Sequence, residues 1–159
     1  MIRPWTEADA EASYAVYVDA VRNGTSAHYN AAQRLAWAPS ENMEAWWPQR
    51  LAEDRAWVAE DASGLTGVIA LRPDGYLDLF FVSPRARGDG TAAALYEALL
   101  EQGRTDGLTS LTTHASDYLK PFLERRGWRI LAEENVDRHG ATLRRWGMAL
   151  DQVPGNQTS

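Results

Sequence analysis

Val82-Ser-Pro-Arg-Ala-Arg-Gly-Asp-Gly-Thr-Ala-Ala-Ala-Leu95 is the stretch on which the fold turns. It joins an apolar strand, Tyr76–Val82, to a helix opening near Gly90, through a loop with glycines at 88 and 90. Glycine reaches backbone conformations that other residues resist, and without a Cβ it lets a ligand approach the chain closely. The first N–H groups of the following helix lack internal partners and lie at the positive end of its dipole. Such a loop cradles an anion, most often phosphate or pyrophosphate. A tight turn from strand to helix uses glycine in the same way, so the loop alone leaves both uses open. No Gly-Lys-Ser/Thr follows, as a P-loop requires, and the three-glycine dinucleotide pattern is absent.

On either side of this loop the chain alternates strand and helix patterns. A helix from Gly90 to about Thr105 leads to a strand at Leu108–His114, so Tyr76–His114 reads as a strand–helix–strand unit. Such a unit needs a parallel pair with a right-handed crossover. Ligands of open α/β sheets settle beyond the carboxyl ends of such strands, here Phe80–Val82 and Thr113–Ala115. Upstream, Trp57–Glu60 and Leu65–Leu71 read as strands, with turn sequences at 61–64 and 72–75. Thr6 and Asp9 open a first helix, in which Tyr14, Ala15, Val18 and Val21 recur until Asn23-Gly24 stops it. After a loop at Thr25–Tyr29, Asn30 caps a short helix closed by Pro39, and another runs from about Glu41 to Asp54. Downstream come a helix at about Asp117–Arg126 and strands at Trp128–Glu134 and Thr142–Leu150. One domain over 1–150 is expected, followed by a polar, disordered tail over 151–159.

Composition narrows the function. At 159 residues the chain is long enough to bury a substantial core. It has no cysteine, which excludes disulfides, thiolate catalysis and cysteine metal sites. Its three histidines are scattered without metal-ligand spacing, so no metal is expected. A net charge of −6 argues against nucleic acid as a partner and favours a cationic substrate such as an amine. Neither a signal peptide nor an apolar run of membrane length is present, so a soluble cytoplasmic protein is expected. The seven tryptophans should form core or cleft wall.

Arg87-Gly-Asp-Gly90-Thr-Ala92 resembles the acyl-CoA pyrophosphate motif of the GNAT acetyltransferase superfamily, Gln/Arg-x-x-Gly-x-Gly/Ala. Val82-x-Pro84 before it and the alanine-leucine helix after it also match. Ser116-Asp-Tyr-Leu-Lys-Pro-Phe-Leu-Glu-Arg-Arg-Gly-Trp128 looks like the family's second signature. The resemblance runs from about Trp57 to Leu150. It implies an α/β (α+β) fold with a mixed, mostly antiparallel sheet, flanked by helices, whose central parallel pair lies at about 76–82 and 108–114. It also implies acetyl-CoA as acyl donor. The two parallel strands would splay apart, and the pantetheine arm would pair with the first along Phe80, Phe81 and Val82. Arg87, Gly88, Asp89, Gly90, Thr91, Ala92 and Ala93 would surround the pyrophosphate, mainly through backbone N–H groups, with Phe122 nearby. Relatives often dimerise at or near the last strand, and Thr142–Leu150 is expected to end the sheet with an open edge.

The sequence departs from the family at three positions. Asp89 replaces a common lysine or arginine, which suits pyrophosphate only if its side chain points outward or caps the helix. Ser116 stands where many relatives have asparagine, either bonding the cofactor or capping its own helix. Leu123 occupies the position of a frequent tyrosine acid, and a leucine donates no proton. Tyr118 lies about 140° away on an ideal helix, a poor substitute unless that helix starts irregularly.

Acyl transfer from a thioester to an amine needs a proton acceptor, since only about one alkylamine in a thousand is uncharged at neutral pH. Asp78 is the sole charged residue of Tyr76–Val82, and strict alternation puts it on the face of Tyr76, Phe80 and Val82. A carboxylate among aromatic rings is suited to be a general base, or to hold a substrate's ammonium. His114, at the end of the next parallel strand, is the other candidate. His28, Tyr29 and Trp37, with Trp46 and Trp47, read as a wall of the acceptor site or as helix packing. The reading is acetyl transfer to a primary amine by direct attack, since no cysteine could carry the acyl group. A non-catalytic acyl-CoA-binding module is the alternative. The acceptor stays open between a small amine, a polyamine, an amino acid and a protein N-terminus.

Overall fold

The turns at 61–64 and 72–75 fold one antiparallel meander: β2 (Arg55–Asp61), β3 (Gly64–Leu71) and β4 (Tyr76–Val82). A computed structural model describes residues 1–155. Ahead of the meander, β1 (Ile2–Pro4) pairs with β2 and is too short to leave an alternation in the sequence. Thr6 and Asp9 close a single 3-10 turn, the Thr6 N–H donating to Asp9 Oδ2 at 2.8 Å, and α1 (Ala10–Gly24) continues it. Asn30 caps α2 (Ala31–Trp37) by accepting the Gln33 N–H at 2.8 Å. α3 (Trp46–Glu53) starts later than the expected Glu41. Ser40 Oγ accepts the Asn42 N–H at 3.2 Å, a local turn that competes with helix.

The second half holds α4 (Thr91–Thr105), β5 (Leu111–Ser116), α5 (Lys120–Glu124), β6 (Arg129–Arg138) and β7 (Ala141–Leu150). The sheet runs β1-β2-β3-β4-β5-β7-β6, and β4–β5 is its one parallel pair, as expected from the strand–helix–strand unit. α4 and α5 cover one face, where Leu95, Leu99 and Leu123 pack on Ile69, Leu77 and Met148. α1 and α3 cover the other, with Tyr14, Tyr17, Trp47 and Leu51 against Val58, Val68 and Leu79.

Three expectations need correction. β7 does not end the sheet: it pairs with β5 on one side and β6 on the other, so β6 is the edge. The burial explains the order, since Gly147–Leu150 are buried while β6 is almost wholly exposed and carries Glu133, Glu134, Asp137 and Arg138. The tail, second, is folded as far as it is described. Val153 is buried, its N–H donates to Thr109 O at 2.8 Å, and Arg104 holds Pro154 O. Residues 156–159 of the expected tail lie outside the described residues.

Third, β4 does not alternate strictly. Leu77 pairs with Leu71 and Leu79 with Ala70, so Asp78 is the extra residue of a β-bulge. Phe80 and Val82 pack toward α4, whereas Asp78 turns to the opposite face, where Leu79 and Phe81 pack and α3 supplies Arg50. Asp78 therefore does not share the face of Phe80 and Val82. At the bulge the two parallel strands part: they register only at Tyr76↔Thr112 and Leu77↔Thr113.

Candidate active site

The loop after β4 opens into a cleft of about 440 Å³ whose far wall is α5 and the turn before it. Gly88 and Gly90 sit at φ +80° and +89°, and a Cβ at either would meet nothing within 4 Å. Left-handed backbone, with open space in front, explains both glycines. Phe80, Val82, Arg87, Ala92, Ala93 and Phe122 join them in the cleft wall, and Arg125 and Arg126 add cations that sequence reading had not singled out. Arg126 lies over the Phe122 ring at 3.6 Å, so packing fixes its position.

Asp89 and Thr91 face away from this cleft, toward Met1 and Asp61. Asp89 Oδ1 accepts from the Thr91 N–H at 3.0 Å and from its hydroxyl at 2.6 Å, and these bonds hold its carboxyl below the ordinary range. Its charge is spent on the start of α4. Ser116 behaves likewise, its Oγ accepting the Leu119 N–H at 3.0 Å.

Where β4 and β5 part, a gap of about 80 Å³ opens between them, lined by Leu77–Val82 on one side and Thr113, His114 and Ser116 on the other. Phe80, Val82, Tyr118 and Leu119 border both gap and cleft. Trp37, Asp78, His114 and Ser116 border both the gap and a further cavity of about 220 Å³. That cavity is closed by Tyr29, Arg50, Tyr76, Arg138, Arg144 and Arg145. Cleft, gap and cavity thus follow one another across the sheet. Phe81 borders only the gap and otherwise packs on Tyr17. His28 lines a separate surface hollow with Tyr29 and Asp117, its ring 6.0 Å from that of Tyr118.

Asp78 and His114 meet across the gap in different states of engagement. Asp78 is 8 % exposed and its Oδ2 has no hydrogen-bond partner. His114 is tied at both nitrogens, 2.7 Å from Tyr76 Oη through Nδ1 and 3.4 Å from Glu134 Oε2 through Nε2. Burial and the nearby Asp78 raise the Tyr76 pKa, so its hydroxyl keeps its proton beside Nδ1. The Arg145 hydrogen bond lowers the Glu134 pKa and keeps that carboxylate ready to accept from Nε2. Both ring nitrogens of His114 thus have a neighbour, while Asp78 keeps a buried carboxylate oxygen with none.

The family's tyrosine position, Leu123, is 0 % exposed in the core beneath α4. Leu123→Ala should therefore cost about 2–5 kcal/mol of stability, read by urea unfolding, because it empties a fully packed site. Tyr118 escapes the helical argument against it. α5 begins only at Lys120, and residues 117–119 form a turn, so Tyr118 reaches the junction of gap and cleft, under Arg87 at 4.3 Å. Asp54 and Arg50 were also missed: near the end of α3, they belong to no motif and leave no local signal of a site.

A family model described as an acetyltransferase (GNAT) domain matches residues 26–150. The chain is 33% identical over 140 residues to the Escherichia coli K12 protein YafP, described as an uncharacterized N-acetyltransferase, covering 88% of each. It superposes with a TM-score of 0.87, at 27% identity, on a Rhodopseudomonas palustris crystal structure described as "GCN5-Related N-acetyltransferase: Aminotransferase, Class-II". That match covers 95% of this chain and 94% of the other. YncA of Salmonella typhimurium, solved with its cofactor acetyl-CoA, shares the fold at a TM-score of 0.65 and 18% identity, over 100% and 96% of the two chains.

Proposed function

Because the chain belongs to the GNAT family of acetyltransferases, we propose that it moves an acetyl group from acetyl-CoA to a primary amine by direct attack, with Asp78 as the proton acceptor. The pyrophosphate rests on the backbone N–H groups between Gly88 and Ala93, and the pantetheine arm follows the unpaired side of β4 into the gap. The acetyl-CoA in a structural neighbour of the same fold supports the choice of donor. The amine enters from the cavity beyond the gap. Its nitrogen attacks the thioester carbonyl, the C–S bond breaks, and the nitrogen's proton passes to Asp78 directly or through water.

One observation carries this reading: a buried carboxylate oxygen without a partner borders both gap and cavity. The departing thiolate, with an ordinary pKa of about 8.5, needs little help from an acid. Tyr118→Phe is accordingly expected to lower kcat by less than about tenfold, below the usual acid–base range. CoA release with a panel of small amines, a polyamine, amino acids and an N-terminal peptide tests the activity. The protein has no cysteine, so a thiol reagent reports CoA alone. No release with any of them would favour a binding module instead. Self-association through the exposed edge strand β6, which carries the exposed Ile130 and Leu131, belongs to the same proposal. A 17.7 kDa species in light scattering at high concentration would overturn it.

A further inference from the structure

Asp78 has a second carboxyl beside it. Asp54, the residue that ends α3, lies against it, and in both residues Oδ2 is buried with no hydrogen-bond partner. Arg50 Nε approaches Asp78 Oδ2 only to 3.8 Å, beyond hydrogen-bond length. Two neighbouring carboxylates repel each other, and two buried oxygens without donors are costly where one hydrogen between them would satisfy both. Building on the reading of Asp78 as base, we propose that Asp54 and Asp78 share one proton in the resting site. Asp54 is then a positioning residue, whose proton decides when Asp78 accepts one from the amine.

Burial first, then the hydrogen bond and charge of Asp78, push the Asp54 carboxyl up to about 8. Arg50 from α3 and Arg72 from the β3–β4 turn oppose that rise without cancelling it. Tyr76 from β4, His114 from β5 and Arg145 from β7 face the same cavity. At neutral pH the pair therefore carries a single negative charge. When the shared proton leaves to water, the doubly charged pair is a base matched to the amine's range, as an isolated carboxylate near 3.9 is not. The amine nitrogen then bonds to the acetyl carbon, the C–S electron pair departs on sulfur, and the nitrogen's proton returns to the pair.

Two measurements on the full-length protein test this. Urea unfolding from pH 4 to 9 needs no ligand. Unfolded aspartate loses its proton near 3.9, whereas the folded pair keeps one until about 8. This contribution to stability is whole below about pH 4, declines as pH rises, and is gone above about pH 8. Asp54→Asn and Asp78→Asn should each flatten that decline, and equal slopes in all three proteins would overturn the shared proton. The second measurement is kcat at saturation with the amine that turns over best. Wild type should climb about tenfold per pH unit to a plateau near pH 8. In Asp54→Asn the new side-chain amide donates to Asp78 without a titrating proton, so this variant should already be on its plateau at about pH 6. At pH 6 it would then keep a fraction of its plateau about a hundredfold larger than wild type keeps. An unshifted limb overturns the positioning role. Full activity in Asp78→Asn, with the decline flattened in both variants, overturns the base and upholds the shared proton.

Discussion

Replacing Asp78 with asparagine should lower kcat/KM for the amine by about a hundredfold or more, the scale on which positioned general bases act. The side chain keeps its shape and loses only its capacity to accept a proton. The nearby Arg50 then faces a neutral amide rather than a carboxylate, an exchange that stays local. Above about pH 8, where the wild-type base has reached its plateau, the deficit should shrink as free amine accumulates and the base matters less. A residue that merely bound the substrate's ammonium would behave differently, raising KM at every pH while sparing kcat. His114→Ala should cost less, because both ring nitrogens already have partners in Tyr76 and Glu134. Full activity in Asp78→Asn together with loss in His114→Ala or Tyr118→Phe would reverse the assignment of roles.

Acetyl-CoA should raise the stability of the wild-type protein by about 2.7 kcal/mol at a hundred times its Kd, since it binds only the folded state. Gly90→Val should abolish that gain. At φ +89° a β-branched residue is strained, and its methyl groups would occupy the open space before the helix N-terminus, where the pyrophosphate is proposed to rest. The apo protein will not escape unharmed: holding valine in this conformation should cost about 1–3 kcal/mol. Thermal shift with and without millimolar acetyl-CoA separates the two effects, because strain lowers both melting temperatures while loss of the site removes their difference. Absence of any shift in wild type would refute the proposed cleft.

Much of this was legible in the sequence where chemistry is local. The glycines at 88 and 90, the crossover from β4 to β5 and the cap at Asn30 are each decided within a few residues, because backbone conformation and helix ends answer to immediate neighbours. The outcome at Asp89 was legible in outline too, since an acid two residues before Thr91 can cap the helix it precedes. What depended on distant partners was not legible. Strand order is settled by which of β6 and β7 offers the more burial beside β5, and no pattern within either strand states it. The bulge at Asp78 arises from its pairing with β3, so alternation along β4 alone assigned the wrong face. Asp54 joins Asp78 only because α3 ends against that bulge, although 24 positions separate them in the chain. Periodicity reports the side of a strand or helix on which a residue stands. It takes the packing of two elements against each other to bring two carboxyls together away from water.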